Sequence, residues 1–170
     1  SANSCQSVFS EPDLVEEGVT PTSEFGPGLI DIDGTKITSP EALRAALADN
    51  RGKVPIVRGG DFSGWNFARI GFPVSNICFF QSKLARTVWD DGSYPGIGFI
   101  EADLALASFR NAQLENVLLR ESFLTDADMQ GARLDSGLFD GGWGGGISNW
   151  NLSGANLRGF RFECGLTLSD

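Results

Sequence analysis

The chain has 170 residues, of which 41% are hydrophobic and 21% charged, a composition typical of one globular domain with its own core. Its net charge of −9 argues against binding to nucleic-acid phosphates, and no apolar run reaches the roughly 18 residues of a membrane span. There is no His, which removes the commonest general base and metal ligand. We therefore expect no enzyme activity, no catalytic residue, no cofactor and no metal site.

The three cysteines, Cys5, Cys78 and Cys164, are widely spaced and form no CxxC pair, which argues against a zinc site. Three free thiols and one disulfide with a spare thiol are both compatible with this spacing. The chain begins at Ser1 rather than Met, as after removal of a signal peptide or a tag, so a cytoplasmic and an exported location both stay open.

The front of the chain divides into two parts. Residues 1–28 are rich in Pro, Ser and Glu, which predicts an extended or mobile arm. Residues 29–58 follow as a capping segment. Within this segment Leu29–Lys36 alternates around Asp33-Gly34, and this pattern suggests a small hairpin.

A helix of about residues 39–49 comes next. Ser39 suits its N-cap and Pro40 its first position, and strong helix formers follow. Leu43 and Leu47 lie four residues apart and therefore on one side of the helix. We expect this side to cover the end of the remaining part of the domain.

Residues 59–170 have a period of five. A large apolar residue, which we call the centre, recurs at every fifth position, and two residues before it the side chain is mostly small or β-branched. Neither a helix, with a period of 3.6, nor an ordinary strand, with a period of 2, explains this spacing. The predicted core centres are Phe62, Phe67, Phe72, Phe79, Leu84, Trp89, Tyr94, Phe99, Leu104, Phe109, Leu114, Leu119, Leu124, Met129, Leu134, Phe139, Ile147, Leu152, Leu157 and Phe162.

The period shifts at two places. The step from Phe72 to Phe79 is seven residues, which predicts a two-residue insertion at 73–76, where Pro73 suits a bend. The step from Phe139 to Ile147 predicts an insertion of about three residues in a glycine-rich run. We predict that this run leaves the coil as a loop and is a candidate interaction site; it consists of Gly141, Gly142, Trp143, Gly144, Gly145 and Gly146.

Several pentads resemble the Ala-(Asp/Asn)-Leu-X-X motif of the pentapeptide-repeat family, over about residues 60–169. The clearest copies are Ala102-Asp103-Leu104, Ala127-Asp128-Met129 and Ala155-Asn156-Leu157. The resemblance implies an all-β fold, a right-handed quadrilateral β-helix of about five coils with four pentads per coil. Centre and small residues would point inward and the other three outward, with the N-terminal helix as a cap.

The resemblance also bears on function. It implies a non-enzymatic scaffold for protein–protein interaction, with a protein partner that the sequence does not identify. Some members act as DNA mimics on type II topoisomerases, so modulation of gyrase is the alternative. From residue 59 onward, however, there are 13 acids against 8 bases, and this mixture of signs weakens the mimic hypothesis. No C-terminal dimerising helix like that of those inhibitors is visible.

The last coil has no evident cap, which predicts a homodimer through coil ends. The competing explanation is that part of the N-terminal arm folds over that end. Cys5–Cys164 is the candidate disulfide to check. Cys78 and Cys164 should lie about four coils apart, too far for a bridge. We expect neither direct nucleic-acid binding nor membrane binding.

Overall fold

A computed structural model describes residues 4–9, 28–141 and 146–163. In these residues seven parallel strands form one sheet in chain order. The strands are β1 (Leu29–Asp33), β2 (Val54–Arg58), β3 (Cys78–Phe80), β4 (Gly98–Ile100), β5 (Leu118–Arg120), β6 (Leu138–Asp140) and β7 (Arg161–Glu163). The helices are α1 (Cys5–Phe9) and α2 (Pro40–Leu47), with 3₁₀ turns at Gly34–Lys36 and Phe67–Arg69.

The sheet is one side of a four-sided coil. In three further columns, single parallel bridges connect each residue to the one four pentads later, so that four pentads complete one turn. The predicted quadrilateral β-helix is confirmed. We name the four sides by their bridged positions: face A (Cys78, Gly98, Leu118, Leu138), face B (Lys83, Asp103, Phe123), face C (Val88, Ser108, Asp128) and face D (Ser93, Gln113, Arg133).

Both predicted insertions are confirmed by the register of the ladders. Ile56 pairs with Cys78, two positions beyond the regular step of four pentads, so the first coil contains two extra residues. Phe139 pairs with Phe162, three positions beyond the regular step, so the last coil contains three extra residues. The central coils keep the regular step between these breaks.

The core is a continuous column of the predicted centres. From Phe79 to Phe139 every centre is buried, and so are Phe62 and Phe67. The Trp89 ring stacks between neighbours in the coils below and above, with centroids 3.9 Å from Phe67 and 5.3 Å from Phe109. Aromatic rings of successive coils therefore pack on one another, as close packing of a dry interior requires.

The coil turns at the second residue after each centre. In one turn these corner residues are Gln81, Arg86, Asp91 and Gly96, and all four have positive φ. Most corners are occupied by residues other than Gly, so the ladders above and below hold a backbone conformation that isolated L-residues rarely adopt.

Three predicted core centres are exposed, and for them the prediction of burial is wrong. Ile147 is 45%, Leu157 37% and Phe162 54% exposed, while Phe72 and Leu152 are half-buried. The three exposed centres belong to the last coil, and no further coil stacks on it in the described part of the chain. A centre in the end coil has neighbours on one side only.

The predicted hairpin at Leu29–Lys36 is wrong. β1 runs parallel to β2 over Leu29–Asp33, and the connection between the two strands contains α2. A 3₁₀ turn follows β1 in place of a return strand, and the Asp33 carboxylate starts it by accepting a hydrogen bond from the Thr35 backbone N–H at 3.0 Å. β1 and β2 therefore extend face A ahead of the pentads.

The helical cap is confirmed. α2 begins as predicted, with the Ser39 hydroxyl accepting from the Ala42 N–H at 3.1 Å and Pro40 in the first turn. Leu43 is completely buried, and Leu47 packs against the same core. This side of α2 contributes to the hydrophobic core at the N-terminal end of the coil.

Candidate interaction surfaces

Charges on the coil are spread over all four faces. In the described residues from 59 onward, the pentads of face A carry four acids and two bases, face B three and two, face C three and two, and face D two of each. The face D charges are Glu115, Asp135, Arg133 and Arg158. No face is strongly acidic, so the net charge of the protein does not define one binding surface.

Several of these charges form ion pairs with an adjacent coil or within one pentad. Arg133 lies 3.3 Å from Asp135 and 3.7 Å from Glu115, and Arg110 lies 3.5 Å from Asp128. Pairs at such exposure contribute little stability each, commonly below about 1 kcal/mol. Their effect here is to offset part of the negative charge on the sides of the coil.

Face A differs from the other three because a row of its outward positions is apolar. Cys78, Phe80, Ile100, Leu118 and Leu138 point away from the main core and form a second hydrophobic cluster with the front of β2. All five are buried. We call these five residues the outer stripe.

Helix α1 lies over the outer stripe. Cys5 forms a disulfide with Cys78, and its N–H donates to the Gly96 carbonyl at 3.1 Å. Val8 and Phe9 pack against the stripe. At the far end the Phe9 carbonyl accepts from the Arg120 guanidinium at 3.4 Å.

The predicted Cys5–Cys164 disulfide is wrong, because Cys5 is bonded to Cys78; Cys164 itself lies outside the described residues. The predicted extended or mobile arm is also wrong for Cys5–Phe9, which is helical. Sequence reasoning missed this contact, although two signals were present. Cys5, Val8 and Phe9 have helical i, i+3, i+4 spacing, and outward apolar residues recur once per coil on face A alone.

The glycine-rich candidate loop is described only at its edges. Gly141 and Gly146 are described, while Gly142, Trp143, Gly144 and Gly145 lie outside the described residues. The Gly141 N–H donates to the Glu163 carbonyl at 3.1 Å, and the Gly146 carbonyl accepts from the Leu124 N–H at 2.5 Å. Both edges are thus part of the coil, and the insertion lies between them.

Tyr94 is the one core centre with a titratable group. Burial, with a smaller effect from the nearby Asp90 charge, raises the pKa of its phenol to about 12. Its hydroxyl has no hydrogen-bond partner in the described part of the chain. The ring packs against Gly92, where an added Cβ would contact the hydroxyl directly.

The described residues contain neither a metal-ligand cluster nor a membrane-spanning helix. No three His, Cys, Asp or Glu side chains come together there in a group that could hold a metal ion. Among the helices of these residues, none has the length and apolar character needed to cross a membrane.

The last coil, described as far as Glu163, presents a backbone edge that is unpaired within the described residues. One coil below, the N–H groups of Met129 and Leu134 donate to carbonyls of the last coil at 2.8 Å. The equivalent N–H groups of Leu152 and Leu157 have no hydrogen-bond partner among residues 4–9, 28–141 and 146–163. They also form no hydrogen bond with residues outside these ranges. This edge therefore combines open hydrogen-bonding groups with the exposed side chains of Leu157 and Phe162.

Comparison with known proteins identifies the repeat. The family model described as pentapeptide repeats matches eight copies over residues 99–138. No curated protein sequence matches the chain.

Solved structures with the same kind of coil are distant. Two trypsin-treated variants of QnrB1, a plasmid-mediated fluoroquinolone resistance protein, have a TM-score of 0.37 at 15% and 16% identity, over 80% of this chain and 89% and 87% of theirs. Rfr23, a pentapeptide-repeat protein from the cyanobacterium Cyanothece 51142, has a TM-score of 0.27 at 18% identity, over 64% of this chain and 60% of its own. At these values the likeness does not extend to function.

Proposed function

Because this chain is a pentapeptide-repeat protein, we propose that it is a non-enzymatic scaffold for protein–protein interaction, with its C-terminal coil as the binding surface. The observation that carries the proposal is the unpaired edge of that coil. A β-edge with open N–H and C=O groups is a template on which another chain can add.

The edge offers donors and acceptors in alternation. In the coil below, the equivalent N–H and C=O groups form hydrogen bonds with the last coil. In the last coil itself these groups have no hydrogen-bond partner; they are the N–H groups of Leu152 and Leu157 and the carbonyls of Trp150, Ala155 and Phe160. An edge of this kind is complementary to itself under a two-fold axis. We therefore propose a second copy of the chain as the first partner.

The test compares two exposed phenylalanines. Phe162 in the last coil is 54% exposed and Phe123 on face B is 52% exposed, so Phe162→Glu and Phe123→Glu remove similar apolar area at different places. Size-exclusion chromatography with light scattering should show a dimer for the wild type and for F123E, and a monomer for F162E. A wild type that is monomeric at high micromolar concentration would contradict self-association through the end coil.

The alternative, a DNA-mimicking modulator of a type II topoisomerase, has weaker support. Five coils at ~4.8 Å make a rod of about 24 Å, a length over which B-DNA carries about 14 phosphate charges at one per ~1.7 Å. From residue 59 onward the chain has a net charge of only −5, and it is spread over all faces. If purified protein inhibited gyrase supercoiling at stoichiometric concentration, this alternative would replace the scaffold proposal.

We also propose that the protein works in an oxidising compartment. The Cys5–Cys78 bond is completely buried and joins residues 73 apart, and a crosslink of that span contributes about 4 kcal/mol by loop-closure entropy. Alkylating the thiols under denaturing conditions at the moment of cell lysis should leave Cys5 and Cys78 unmodified, because denaturation exposes any free thiol and a disulfide sulfur does not react. Alkylation of both would point to a reducing compartment.

A further inference from the structure

Helix α1 is too short to be stable alone. It has five residues, and isolated helices of that length do not form in water. Its position therefore depends on its contacts with face A. These contacts run along the coil axis. At one end the Cys5 N–H donates to the Gly96 carbonyl, and at the other the Gln6 side-chain amide donates to the Ser136 carbonyl at 3.2 Å.

Face A is shaped to receive α1. An added Cβ at Gly98 would contact the Cys5 side chain directly, and one at Gly96 would lie 3.0 Å from the Ser4 Cβ. Gly98 does not have positive φ, so its backbone would accept a side chain. The side chain is missing there because Cys5 occupies the space.

The outer stripe is an apolar surface that α1 covers, and within residues 4–9, 28–141 and 146–163 no other helix packs on it. The equivalent outward positions of face D are Gln113 and Arg133, which need no cover. α1 contacts the stripe with residues at i, i+3 and i+4, which is how a short amphipathic helix lies in an apolar groove.

We propose that the outer stripe of face A is a helix-docking surface, that the chain's own helix Cys5–Phe9 is its occupant, and that the Cys5–Cys78 disulfide is the latch. With the latch closed, the stripe is unavailable to other chains. With the latch open, the five-residue helix leaves and an apolar surface appears on the side of the coil. This surface is separate from the C-terminal coil.

The chemistry of the latch is thiol–disulfide exchange. Closing forms one S–S bond from the Cys5 and Cys78 thiols, and the two hydrogens reduce a disulfide-bearing oxidant to two thiols. Opening is the reverse, with a dithiol reductant that leaves as a disulfide. Since both sulfurs are buried, each step requires α1 to lift from the stripe first.

The experiment uses the full chain in four forms: wild type, Cys5→Ser, Gly98→Ala and Gly28→Ala. C5S removes the latch, and G98A fills the space of the Cys5 side chain while both cysteines stay in the sequence. G28A is the matched control, because nothing lies near an added Cβ at that glycine. Hydrogen exchange at the amides of residues 5–9 reports the cover in all four forms. In C5S, alkylation of the free Cys78 thiol, located by peptide mass, reports access to the stripe.

We expect amides 5–9 to exchange at least about tenfold faster in C5S and G98A than in the wild type and G28A. Cys78 should be alkylated in native C5S, where it is a free thiol; in the other three forms it is held in the disulfide and does not react. If Cys78 stays unmodified in native C5S, α1 remains seated without the bond and the latch is refuted. If the β5 amides also lose protection in C5S, α1 is an integral part of the fold rather than a removable cover, which equally overturns the proposal.

Discussion

One hydrogen bond inside the coil should have a measurable effect on stability. The Trp89 indole N–H donates to the Thr87 hydroxyl at 2.8 Å, and that hydroxyl donates to the Leu84 carbonyl at 2.7 Å. Both side chains are completely buried, and the Trp89 ring is enclosed by rings of the adjacent coils. No water can replace a lost partner in such a dry interior.

The perturbation is Thr87→Val, which keeps the shape of the side chain and removes only its hydroxyl. The Leu84 carbonyl keeps a partner, because it also accepts from the Thr87 backbone N–H at 3.3 Å. The cost is therefore one buried indole N–H without an acceptor, about 1–3 kcal/mol in the free energy of unfolding. Urea unfolding at constant m-value measures this difference.

Two further variants decide the cause. Thr87→Ser keeps the acceptor and loses one methyl group, so it should cost about 0.8 kcal/mol for the buried carbon. In a Trp89→Phe background there is no N–H to leave unpaired, and T87V should then cost at least about 1 kcal/mol less than in the wild type. Equal destabilisation by T87V in both backgrounds would refute the hydrogen bond as the source of the effect.

Two other substitutions test the packing at the C-terminal coil and the buried phenol. Gly137→Ala places a methyl group 2.7 Å from the Phe160 ring and should lower the free energy of unfolding by about 1–3 kcal/mol, with recovery of the added cost when Phe160→Ala is combined with it. Tyr94 has a folded-state pKa of about 12 against 10.0 for the free group, so the folded state holds the phenol proton more tightly. Its contribution is complete below pH 10 and is lost as the pH rises toward 12. Tyr94→Phe should flatten the fall of the urea midpoint in that window, and an unchanged fall would assign it to other groups.

The pentads could be predicted from the sequence because each one encodes its own orientation. A centre such as Leu104 and a small residue such as Ala102 are both buried, as their places in the period require. The insertions follow from the same counting. Counting pentads uses only the positions of residues within five-residue segments, and the backbone geometry of these segments repeats from coil to coil.

The cover of face A could not be predicted in the same way. Cys5 lies 73 residues from its partner, and nothing in five residues of helix-compatible sequence specifies where they dock. The hairpin error at Leu29–Lys36 has the same origin. After Asp33 the chain could form an antiparallel hairpin with β1 or continue to a parallel strand. The outcome depends on β2, which pairs with β1 and comes after α2 in the chain.

Burial in this protein depends on the stack and only secondarily on the pentad. Phe139 and Phe162 have the same residue type, the same place in their pentads and adjacent positions in one ladder. Phe139 is 5% exposed and Phe162 54%, because a coil follows the first and none is described after the second. The charges on the sides of the coil are mixed in sign, and the outer stripe of face A is covered by α1. Among the described residues, the end of the stack is therefore where apolar side chains and open backbone groups coincide, and a partner that adds one more layer would bury both at once.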